Sequence, residues 1–172
     1  MEKYEERIDG ILFDLGLSSP HVEDANRGFS FQHEGPLDMR FDTRQTITAA
    51  DIINTYPLEN LIFIFQNYGE EKHSKKLANE IIQYRKHGKF TTTTQLKDFI
   101  ARAAGFVHPE KCYFKRHPAT RVFQALRIAT NREIEVLEKG LGKALNILSP
   151  QGKLIVISYH SLEDRIVKNL FR

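Results

Sequence analysis

Ile8-Asp9-Gly10-Ile11-Leu12-Phe13-Asp14-Leu15-Gly16 is the stretch on which the fold turns. Its centre, Ile11-Leu12-Phe13, is a continuous apolar run rather than an alternation. Such a run reads as a strand buried on both faces, as in a parallel sheet. A second run of this kind, Leu154-Ile155-Val156-Ile157, lies near the other end of the sequence. No other stretch reads as a good strand. Two interior strands need neighbours at their edges and cover on both faces. The expectation is therefore a sheet completed by something beyond these two strands, either in a larger protein or by a partner.

Between the runs the signals are helical. Ser18 to Thr46 has no periodicity and is rich in Ser, Pro, Asn, Gly and Asp, so it reads as a loop. It also carries Phe29, Phe31, Met39 and Phe41, which argue against a slack one. Thr48 caps a helix that stops before Pro57, with Asp51 closing a capping box. Further helices are expected at Leu58–Tyr68, at Ser74–His87, and after a cap at Thr94 up to Gly105. Pro118 opens a long apolar periodicity that Asn131, Gly140 and Gly142 weaken, so it bends or splits. Pro150-Gln151-Gly152 reads as a turn, and a last helix runs from about Leu162, with Ser161 as its cap and Asp164 closing a box. The division expected is 1–46 with 118–172 as a partial α/β domain and 47–117 as a helical insert.

Composition sets outer limits. The 172 residues carry 25 Lys+Arg against 22 Asp+Glu, a net charge of +3, and one cysteine, Cys112. That excludes collagen, low-complexity and disulfide-scaffold classes. The lone cysteine points to a reducing compartment, the cytoplasm. No apolar run approaches the roughly 20 residues that span a bilayer, so no membrane partner is expected. A charge of +3 allows a nucleic-acid partner without arguing for one. There is no HExxH or Cys-x-x-Cys spacing, and no metal is expected.

Four constellations could carry chemistry. Asp14-Leu15-Gly16-Leu17-Ser18-Ser19-Pro20-His21 follows the first strand, and open α/β sheets bind ligands beyond the carboxyl ends of strands. Asp14 there would accept from an amine or hydroxyl; the plainer reading is a turn cap. Arg27-Gly28-Phe29-Ser30-Phe31 with Gly35-Pro36-Leu37-Asp38-Met39-Arg40 mixes aromatics and Arg. Exposed, these stack unpaired bases; buried, they plug the loop. Lys115-Arg116-His117-Pro118-Ala119-Thr120-Arg121, continuing to Arg127, concentrates cations at a helix start, which suits phosphate or merely a solvated face. Ser158-Tyr159-His160-Ser161-Leu162-Glu163-Asp164-Arg165 follows the second strand and would share the crevice with Asp14. A Ser-His-Asp hydrolase is set aside because the chain has no G-x-S-x-G elbow.

Together these blocks, in this order and with Tyr68-Gly69-Glu70-Glu71 between them, resemble the bacterial 16S ribosomal RNA (cytosine-N4)-methyltransferases. The resemblance covers nearly the whole chain. It implies an α/β fold: a partial Rossmann-like methyltransferase sheet with an inserted helical subdomain. It implies S-adenosyl-L-methionine as cofactor, and 16S rRNA of the small ribosomal subunit as partner. Asp14 matches the family's strand-end cofactor contact. His21 stands where the family has a Gln. The family's Gly-rich cofactor segment has no counterpart before Asp9, and its tail after the last helix is missing. The chain therefore looks like the middle of the enzyme: a fragment, a split gene product or a degraded paralogue.

The reaction so implied passes a methyl group to the exocyclic N4 of cytosine, a weak nucleophile whose lone pair is delocalised into the ring. Asp14, Ser18 or a nearby main-chain carbonyl would accept from the amino hydrogens. The base must leave its stack. Phe29, Phe31 and Tyr159 are the candidate stacking faces, with His160 beside them; Lys115, Arg116, Arg121 and Arg127 are the candidate phosphate contacts. The alternative is a non-catalytic RNA- or ribosome-binding remnant.

Overall fold

The structure is a computed structural model that describes residues 8–105 and 117–172. In chain order its elements are β1 (Ile8–Asp14), α1 (Ser19–Glu23), a 3-10 turn (Ala25–Arg27), α2 (Ala49–Thr55), α3 (Leu58–Asn67), α4 (Ser74–Tyr84), α5 (Thr93–Ala103), α6 (Ala119–Asn131), α7 (Glu133–Ile147), β2 (Leu148–Ile157) and α8 (Ser161–Leu170). They fall into two compact units, one within Met1–Leu17 and Arg132–Arg172, the other within Ser18–Asn131.

In the first unit β1 and β2 pair in parallel, from Gly10 opposite Lys153 to Asp14 opposite Ile157. The ladder slips between Ile8 and Gly10, because Ile8 is opposite Leu148. The extra β2 residues around Pro150-Gln151-Gly152 bulge out there, with Gln151 at φ 73°. The expected turn is thus a bulge inside a longer strand. The strands are not buried on both faces among the described residues. Ile11, Phe13, Leu154 and Val156 are half-buried, whereas Leu12 is 63% exposed and Ile155 56% exposed. One apolar face of the sheet is uncovered, and no third strand is present among the described residues.

The second unit is built around α2 to α6. Thr48 accepts from the Asp51 N–H while the Asp51 carboxylate accepts from Thr48, the capping box read from sequence. The cap of α5 lies two residues earlier than expected: Thr92, not Thr94, pairs with Gln95. Thr94 instead donates its hydroxyl to Glu34 across the unit. Arg85 donates to the carbonyls of Ile53 and Tyr56, satisfying the C-terminal end of α2.

The 18–46 segment packs into this unit. Leu37 and Met39 are buried, and Phe29 is 8% exposed. The Asn131 side chain accepts from the Phe41 N–H (2.7 Å) and donates to the carbonyls of Met39 (2.7 Å) and Arg127 (2.9 Å), bolting the loop to α6. Gly28 sits at φ 70°, and a Cβ there would stand 2.1 Å from the Pro36 carbonyl oxygen, so only glycine closes this turn. By packing, the two compact units divide at 17/18 and 131/132. The physical reason is the set of plugs Phe29, Leu37 and Met39, which tie the loop to the helices.

The long periodicity after Pro118 splits at Arg132, whose φ of 51° separates α6 from α7. Gly140 and Gly142 pass inside α7 without breaking it.

Candidate functional site

Asp14 ends β1, and the parallel ladder places it opposite Ile157, two residues before Tyr159. The Leu15 N–H continues the ladder to the Ile157 carbonyl (3.1 Å), fixing the direction in which the chain leaves β1. Gly16 then turns at φ 92°. A Cβ at Gly16 would lie 3.2 Å from the Tyr159 ring, so the absence of a side chain lets the ring lie over this turn. From there the Tyr159 hydroxyl donates to Asp14 Oδ1 (2.9 Å). That bond raises the phenol's pKa, since ionising it would put a second negative charge beside the carboxylate. Both residues are exposed. Two of the constellations read from sequence thus meet at the carboxyl ends of adjacent parallel strands.

Beneath them, α8 starts one residue earlier than expected. The cap is His160, in extended conformation, and its partner at the third helical position is Glu163 rather than Asp164. The Glu163 carboxylate accepts from the Tyr159 N–H (2.9 Å) and from the His160 N–H (3.3 Å). Glu163 Oε1 lies 3.2 Å from His160 Nε2, with only 6% of the Glu163 side chain exposed. Burial alone would push its pKa up, but His160 and the two N–H groups hold it below the ordinary 4.5. Glu133 brings a ligating atom within 4.8 Å of those of His160 and Glu163.

The His160 side chain is 12% exposed and its Nε2 faces Glu163. The Phe29 ring stacks on Phe41 at 5.3 Å, with His21 edge-on at 5.4 Å, and is 8% exposed. Phe31 is half-buried, its ring edge-on to Phe123 at 4.8 Å. Ser18 and His21 belong to the second unit, where the Ser18 hydroxyl and His21 Nδ1 lie 2.7 Å apart. Arg121 is exposed, 3.8 Å from Glu71, and borders a cavity of about 470 Å³ also lined by His73, Lys76, His117 and Gln124. Arg127 is half-buried. Lys115, Arg116 and Cys112 lie outside the described residues. Sequence reasoning missed Glu163. The signal was available in the spacing His160-x-x-Glu163, an N-cap and its third helical residue.

The chain is 50% identical over 165 residues to the ribosomal RNA small subunit methyltransferase H of Carboxydothermus hydrogenoformans, covering 96% of this chain and 52% of that protein. It is 52% identical over 165 residues to the protein of the same name from Thermomicrobium roseum, covering 96% and 49%. The Fusobacterium nucleatum protein of that name is 46% identical over 167 residues, covering 97% and 51%. The chain thus spans about half the length of the curated relatives it matches. A sequence model of the MraW methylase family matches residues 1–172, the whole chain. With a parallel strand pair carrying Asp14 and Tyr159 at its carboxyl ends, and with that match, the chain belongs to the MraW methylase family.

Proposed function

We propose that this chain is part of an S-adenosyl-L-methionine-dependent enzyme that methylates N4 of a cytosine in the 16S rRNA of the small ribosomal subunit. The single observation that carries the reading is the Asp14–Tyr159 pair at the carboxyl ends of β1 and β2. A carboxylate there suits the amine and hydroxyl donors of a nucleoside. Asp14 spends one oxygen on Tyr159 and keeps further lone pairs for such donors. When bound, S-adenosyl-L-methionine supplies a methyl group activated by its sulfonium. Asp14 accepts from the ligand donors, and Tyr159 lays an exposed ring beside them. Ser18 and His21, a hydroxyl–imidazole pair 2.7 Å apart, are proposed as further contacts of the reaction.

The uncovered face of Leu12, Ile155 and Ile157 supports a Rossmann-like sheet with further strands and covering helices. Phe31, Arg121 and Arg127, with Lys115 and Arg116, are proposed for the RNA. No helix among the described residues is long and apolar enough to cross a membrane. A ribosomal substrate places the work in the cytoplasm.

The same uncovered face favours a second reading for the 172 residues taken alone: RNA or ribosome binding without methyl transfer. Calorimetric titration with S-adenosyl-L-methionine, followed by radiolabelled methyl transfer to unmodified small subunits, separates the two. Micromolar binding weakened tenfold or more by Asp14→Asn supports the methyltransferase reading. No cofactor binding, with RNA affinity that falls steeply with salt, supports the second.

A further inference from the structure

We infer that Glu163 is a positioning residue that holds Tyr159 over Asp14, acting through the main chain rather than by touching a ligand. The inference rests on the reading of Asp14 as a ligand contact. Its physical basis is a comparison of three helix starts in this one protein, each with an acceptor at the third helical position.

At α2, Asp51 accepts from the N–H of the cap residue Thr48. At α5, Gln95 is one methylene longer. It accepts from the N–H of its cap Thr92 (3.4 Å) and also from the N–H of Thr91, the residue before (3.0 Å). At α8, Glu163 does what Gln95 does: it reaches past the cap His160 to the N–H of Tyr159. The extra methylene thus pins the residue before the cap. At α8 that residue is the one whose hydroxyl donates to Asp14. Glu163 is buried, so no water replaces it on the Tyr159 N–H at low cost. Capping α8 needs only the His160 N–H. Reach to Tyr159 is the part that helix formation leaves unexplained.

Two conservative variants separate reach from charge. Glu163→Asp keeps the charge and the helix cap but loses the reach. Glu163→Gln keeps the reach and loses the charge. The probe is the 172-residue chain labelled with ¹³Cζ-tyrosine at pH 7, with the Tyr159 signal assigned by its loss in Tyr159→Phe. Asp14→Asn gives the position of that signal when the phenol–carboxylate bond is gone. The expected result is that Glu163→Asp moves the signal most of the way to that position, and that Glu163→Gln leaves it near the wild-type one. A signal unmoved by Glu163→Asp, or moved by Glu163→Gln and not by Glu163→Asp, overturns the inference. In calorimetry with S-adenosyl-L-methionine, Glu163→Asp should weaken binding by the same factor as Tyr159→Phe, and Glu163→Gln by less than twofold. A wild-type chain that binds no cofactor removes the ligand reading of Asp14, while the tyrosine signals still decide whether Glu163 sets Tyr159.

Discussion

The two compact units bury their apolar side chains to very different extents. Of the 26 buried hydrophobic residues among those described, 22 lie in the helical unit and four in the sheet unit. Of the 12 large hydrophobics that are exposed, nine lie in the sheet unit. The helical unit closes its own core, from Ile53 and Phe65 through Leu96 to Leu126, each essentially inaccessible. The sheet unit has the pattern of a core without its cover. At its strand ends Glu163, Tyr159 and Asp14 are joined by hydrogen bonds. The contrast teaches that the helical unit encloses its own core, whereas the strand pair leaves one apolar face bare and carries Asp14 and Tyr159 at its carboxyl ends.

The sharpest way to break this comparison is truncation on either side. Phe65→Ala should cost about 3–5 kcal/mol, because it empties a fully enclosed position. Ile155→Ala, on the uncovered sheet face, should change stability by about 0.5 kcal/mol or less. Urea unfolding of both variants checks this, and equal costs would mean that the sheet face is covered in solution. Next in size is Asn131→Ala, which strips partners from the Phe41 N–H and the Met39 carbonyl. It should cost about 1–3 kcal/mol in the same assay.

Those two residues also show how far the sequence could be read. Phe65 lies in the helix expected over Leu58–Tyr68, at helical spacing from Leu61 and Ile62. Asn131 looked only like a helix weakener, because its three partners include two residues some ninety positions away. The same holds at the site. Asp14 and Tyr159 were legible one at a time, as polar residues after apolar runs. That the phenol bonds the carboxylate depends on the register of β1 against β2 and on the Gly16 turn, which no local pattern encodes. Phe29 and His160 carried residue types suited to RNA, and their packing against Phe41 and Glu163 was not legible in the sequence.

A smaller effect sharpens the comparison at its helix starts. Thr92→Ala should cost about 1 kcal/mol by removing the hydroxyl that accepts from the Gln95 N–H. Thr48→Ala should cost a similar amount at α2, and thermal unfolding reads both. The smallest expected effect is acid sensitivity. Asp38, bound in two places by Arg40, and Asp51, bound by Thr48, are held below the ordinary 3.8, as Glu163 is held below 4.5. Each is depressed in the folded state, so its contribution is complete above the ordinary value. It is lost as the pH falls from there through the folded value. The contribution of these three carboxylates should therefore be flat from pH 7 to about 5 and decline below it. Asp38→Asn should make the decline shallower for the helical unit, and Glu163→Gln should do so for the sheet unit.

The residues by themselves determined the two strands, the helical block, the caps that start α2 and end α5, and the family, because periodicity, glycine placement and short motifs act over a few neighbours. The tertiary structure decided which aromatics are plugs, where the units divide, which face of the sheet lies bare, and that Tyr159 is tied to Asp14 above and to Glu163 below. Those outcomes depend on side chains far apart in sequence competing for the same space and the same hydrogen bonds, and that competition is resolved only when the chain is packed.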